Sequence, residues 1–77
     1  MELHEKNNDW MALIKKEYER ANIKHKMFTS THQGYGVLLE EVDELWNEIK
    51  QNSSKDLMAK EAIQVAAMAL KFLESLC

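Results

Sequence analysis

Seventy-seven residues with one cysteine, Cys77, make a single small domain, 1–77, that no internal disulfide can staple. A formal charge of −3 offers no general attraction for nucleic acid, and no apolar run approaches the roughly 20 residues that span a bilayer. With 45% hydrophobic and 30% charged residues the chain suits amphipathic helices rather than a disordered tail.

A chain of this length buries only roughly 60–65% of its unfolded surface, so self-association, a metal ion or both are expected to supplement its core. The polar, acidic first ten residues are unlike a signal peptide. Together with the lone thiol they give a cytoplasmic location as the expectation.

The first helix is predicted from near Glu5 to about Lys24, with Asn7, Asn8 and Asp9 as further candidate caps. Trp10, Ile14, Tyr18 and Ala21, with Leu13 beside them, recur at helical spacing as one apolar stripe. The second helix has the clearest start. The Ser30 hydroxyl can accept from the Gln33 amide, and the Gln33 side chain can reach back to the Ser30 amide, as in a capping box. Gly34 and Gly36 cost helix propensity there, so close packing or room for a ligand must explain them, and packing is favoured.

On a wheel of the second helix, Tyr35, Leu38, Leu39, Val42, Leu45, Trp46 and Ile49 fill the expected core face. Glu41, Glu44 and Glu48 form a column beside it, with Glu41 nearest the apolar edge. Carboxylates stacked at these spacings repel one another, yet taken alone such a column is most often a solvated acidic face.

Ser53 or Ser54 is expected to cap the third helix, which runs unbroken to Leu76 with Asp56 in its first turn. It is apolar on two sides. Ala59, Ala62, Ile63, Ala66, Ala69, Leu70 and Leu73 make one face, and Met58, Val65, Met68, Phe72 and Leu76 the other. Covering both is expected to need a second subunit. Glu61 lies in line with the second face and Gln64 beside it, while Lys60 and Lys71 point elsewhere on the wheel. A carboxylate on an apolar face is costly unless a cation answers it. Short polar joints make antiparallel neighbours of successive helices.

Glu40, Glu41 and Glu44 read EExxE, and Glu61 opens a second motif, ExxQ, in the next helix. From Ser30 to Phe72 the chain resembles the MazG-like all-α nucleoside triphosphate pyrophosphohydrolases, whose pattern is EExxE followed by ExxD. The resemblance implies an all-α, three-helix antiparallel bundle completed by oligomerisation as a homodimer or homotetramer. It implies Mg²⁺, with Mn²⁺ as substitute, on Glu41, Glu44, Glu61 and the residue in the last acidic position, here Gln64. It further implies hydrolysis of a nucleoside triphosphate to monophosphate and pyrophosphate, in a house-cleaning role toward nucleotide pools, with Glu40 or Glu44 orienting the water.

Gln64 departs from the pattern: its carbonyl can ligate but brings no charge. The alternative is therefore a non-catalytic helical binding or assembly protein of the same fold. Lys15, Lys16, Arg20, Lys24, Lys26 and Lys60 are candidate phosphate contacts, and Trp10 and Trp46 can stack on a base, although core packing is favoured for both. His4, His25 and His32 lack the spacing of a transition-metal site, and Cys77 has no local pattern of a nucleophile.

Overall fold

The computed structural model describes residues 9–77 and, among them, contains three α-helices and no strand. They are α1 (Trp10–Lys24), α2 (Thr31–Lys50) and α3 (Lys55–Leu76). Local chemistry fixes each start. Asp9, one of the candidate caps, accepts from the Ala12 amide at the start of α1 at Trp10, and the expected start near Glu5 lies outside the described residues. Ser30 accepts from the Gln33 amide as expected, but the Gln33 side chain reaches one residue further back, to the Thr29 amide at 2.8 Å. Of the two candidate serines before α3, Ser54 is the cap, accepting from the Leu57 amide.

The end of α2 is equally specific. Asn52 has φ 56°, in the left-handed region. Its amide donates to the Ile49 carbonyl, and the Ser53 amide donates to the Glu48 carbonyl, both at 3.0 Å. This is a Schellman closure with asparagine in the place usually taken by glycine.

α3 packs against both α1 and α2, whereas α1 and α2 barely touch each other. The core sits where Ala21, Phe28, Ala67 and Met68 meet, with Ile14, Tyr18, Val37, Leu38, Phe72 and Leu76 packed around it. Within the chain α3 is buried along Ala67, Met68 and Lys71, whereas no residue of its Ala59–Leu73 apolar face is buried and Leu73 is 58% exposed.

The inward side of α2 is also not the one its apolar pattern predicts. Tyr35, Leu39, Val42, Trp46 and Ile49 are exposed, and Leu38 and Leu45 alone of the expected core face are half-buried. Turned toward α3 instead are Gly34, Val37, Leu38, Glu41, Leu45 and Glu48. Gly34 explains the choice: a Cβ there would come within 2.7 Å of the Phe72 ring and 3.1 Å of the Phe28 ring. Two aromatic rings close over a position that has no side chain, and the face carrying that position becomes the inner one. Gly36 has no such neighbour within 4 Å.

Candidate metal centre

Because the Gly34 face of α2 turns inward, Glu41 is carried into the seam with α3. Glu44, one turn on, is exposed yet brings a carboxylate oxygen to the same point, and Glu61 meets both from α3. One carboxylate oxygen from each of the three lies within 4.8 Å of the others. Three carboxylates from two antiparallel helices therefore converge on one small volume.

No cation of the described chain forms an ion pair with them, although the charge of Lys60 acts on Glu61 from further off. The sole ion pair among the described residues is Arg20 with Glu17. Glu41 Oε1 and Glu61 Oε1 are buried without a hydrogen-bond donor. Burial, followed by the charges of Glu44 and Glu61, pushes the Glu41 carboxyl up to about 7. Glu61 is raised as well, first by burial and then by Glu44. Each needs a proton or a cation. The donor set is all oxygen, which suits Mg²⁺ or Mn²⁺ and not a soft transition metal, so the residues present fit the ion that the motif implies.

Beside the cluster lies a cavity of about 600 Å³ that exists because α1 and α2 splay apart over α3. Gln64, Met68 and Lys71 of α3 form its floor. Val37, Glu40 and Glu41 of α2 form one wall. Glu17, Arg20, Ala21 and Lys24 of α1, with Lys26 and Phe28 of the joint, form the other. Glu40 and Gln64 therefore face the same space as Glu41, Gln64 half-buried one turn beyond Glu61. The Arg20 guanidinium grips Glu17 through two hydrogen bonds, at 2.9 and 2.6 Å, and this holds the Glu17 carboxyl below the usual range.

Of the expected phosphate contacts, Arg20, Lys24 and Lys26 line the cavity; Lys15, Lys16 and Lys60 are exposed away from it. Trp46 is exposed with the Lys50 ammonium over its ring, and neither tryptophan lines the cavity. Cys77 is exposed, and His4 lies outside the described residues.

Lys71 was missed by the helical wheel, which set it apart from the chemistry. It is 2% exposed and lines the cavity. Its row with Gln64 and Met68, at steps of four and three, was the available signal. No helix of the described chain is long and apolar enough to cross a membrane. Comparison with protein-family profiles, curated proteins and solved structures returned no match.

Proposed function

We propose that this chain is a Mg²⁺-dependent nucleoside triphosphate pyrophosphohydrolase of the MazG-like kind, acting as a homo-oligomer. One observation carries the reading: Glu41, Glu44 and Glu61 place carboxylate oxygens within 4.8 Å of one another, two of the residues with a buried oxygen that no donor satisfies. Such a cluster repels a triphosphate when bare and receives one when a divalent cation neutralises it. When bound, Mg²⁺ would supply charge stabilisation to the phosphate oxygens.

The protein's own residues have distinct parts in this reading. Glu41, Glu44 and Glu61 hold the ion. Gln64 offers a carbonyl toward it or an amide donor toward a phosphate oxygen or Glu61. Glu40, exposed on the cavity wall, or Glu44 orients the water that attacks the α-phosphorus and gives monophosphate and pyrophosphate. Arg20, Lys24 and Lys26 stand where they can meet the substrate's remaining charge.

A second copy completes the bundle. The exposed residues Tyr35, Leu39, Val42, Trp46 and Ile49 alternate at steps of four and three, the repeat of a helix–helix seam.

The test is pyrophosphate release from a panel of NTPs and dNTPs, in Mg²⁺ and in EDTA. Release with at least one nucleotide, abolished by EDTA and by Glu41→Gln, is the expected result. Gln64 favours a second reading, a binding protein that kept the fold and lost the chemistry, because an uncharged ligand weakens the site. No pyrophosphate from either the native protein or Gln64→Asp, with both folded, would establish that second reading.

A further inference from the structure

We propose that Lys71 heads an oxyanion-binding subsite at the inner end of the cavity between α1 and α2, one that takes a phosphate-type group without divalent metal. Lysine is almost never fully buried unless its charge is paired. Lys71 is 2% exposed, and no carboxylate of the described chain forms an ion pair with it. What it has is the ring of Phe28, whose centroid lies 5.0 Å from the Nζ. A cation–π contact of this kind offsets part of the cost of burial and leaves the ammonium's hydrogen-bond donors to be used.

The arrangement is built rather than incidental. The Phe28 amide donates to Ser75 Oγ at 3.1 Å, and Ser75 follows Lys71 by one turn of α3. The joint between α1 and α2 is thereby tied down over the lysine stem. Gly34, by lacking a side chain, lets the Phe28 ring settle there. With its ammonium against the Phe28 ring, Lys71 lines the cavity together with Lys24, Lys26 and Met68. Low-dielectric walls strengthen a charge-assisted hydrogen bond to an oxyanion relative to the same bond in water. The cavity volume is that of a small-molecule site.

Gln64 and Lys71 are seven residues apart on one helix, so roughly 10 Å of axial rise separates this subsite from the edge of the carboxylate cluster. The two can be occupied independently. Nothing in the inference needs a metal at Glu41, Glu44 and Glu61.

The experiment is a titration with inorganic pyrophosphate and tripolyphosphate in EDTA, read by calorimetry and by melting temperature against NaCl of equal ionic strength. Native protein, Lys71→Met and Lys71→Arg are compared. Methionine preserves the buried stem and removes the charge, so that variant should melt at or above the native protein without ligand. Should it fail to fold, Lys71→Gln takes its place.

The expected result is polyphosphate binding by native protein in EDTA, weakened at least tenfold in Lys71→Met and largely kept in Lys71→Arg. Equal binding by Lys71→Met would overturn the proposal and leave the lysine as a packing residue. So would binding that appears only when Mg²⁺ is added. A separate titration with Mg²⁺ alone, free of phosphate, reports on the carboxylate cluster, so either site can fail without the other.

Discussion

The two faces of α2 reverse the usual rule for a water-soluble helix. Its inner face carries Glu41 and Glu48 among Gly34, Val37, Leu38 and Leu45, while its outer face carries Tyr35, Leu39, Val42, Trp46 and Ile49. Carboxylates have been turned in and large apolar side chains out. Exposed apolar groups of this number along one seam are a surface that water covers poorly, and Glu41 on the inner face buries a carboxylate oxygen that no donor satisfies. Each face carries an uncompensated cost in the single chain, and the two costs are of opposite chemical kind.

The outer face should give the largest effect. Sedimentation at micromolar concentration is expected to show no dominant 9.0 kDa species, and Trp46→Glu or Val42→Glu should dissociate the assembly. A native protein that sediments as a clean monomer would show that the outer seam needs no second copy. A charge at Met68, which lies in the core of the single chain, should unfold the protein instead of merely dissociating it.

The inner face is tested by metal. A ligand that binds only the native state stabilises it by about 2.7 kcal/mol at one hundred times its Kd, which for a domain of this size is roughly 10–20 °C in Tm. That rise should occur with Mg²⁺ or Mn²⁺, fail with NaCl, and vanish in Glu41→Gln and Glu61→Gln. Indifference of the native melting point to both ions would remove the cation from the account.

The packing that selects the inner face predicts opposite signs at two neighbouring glycines. Gly34→Ala should cost about 1–3 kcal/mol, because the Phe72 ring must move to admit the methyl. Gly36→Ala, with open space around it, should stabilise by up to about 1 kcal/mol through helix propensity. Chemical denaturation of the two variants decides it; equal effects would mean that α2 does not seat against the two rings.

The smallest effect is one of pH. Glu41 ionises near 4.5 when free and near 7 in the fold, so between those values the native state holds the extra proton. Its contribution is fully present below about pH 4.5 and lost as pH rises through about 7. In EDTA, Tm should therefore fall on going from pH 5 to pH 8. Solvent screening limits the change to on the order of 1 kcal/mol, or about 5 °C. Glu41→Gln should flatten that slope.

The caps were legible in the sequence because they depend on local spacing, whereas the grouping of Glu41, Glu44 and Glu61 across two helices came from the family resemblance. Ser30 and Ser54 sit where a helix start needs an acceptor, and Glu41, Glu44 and Glu61 fall on facing turns of successive helices. Which side of α2 would turn inward was not legible. A helical wheel weighs apolar area, and by that measure Trp46 and Ile49 outweigh Gly34 and Val37. The decision was made between elements, by the fit of Phe28 and Phe72 over Gly34. Lys71 escaped for a related reason: a lysine is assigned to solvent by its charge, while its four-carbon stem packs like any aliphatic chain.

The joint between α2 and α3 acts as a ruler for the carboxylates. Glu44 lies eight residues before Asn52 and Glu61 eight after Ser53; Glu41 and Gln64 are each eleven away on the same count. In a hairpin of two antiparallel helices, residues equally far from the bend stand at the same height. One inserted residue in the 51–54 joint would leave both helices intact, yet to keep their levels it would have to turn one of them by about 100° about its axis or slide it by about 1.5 Å. The left-handed Asn52 closure holds the joint at a single length. The distance between oxygens on two different helices is thus set by backbone geometry at a bend some two turns away.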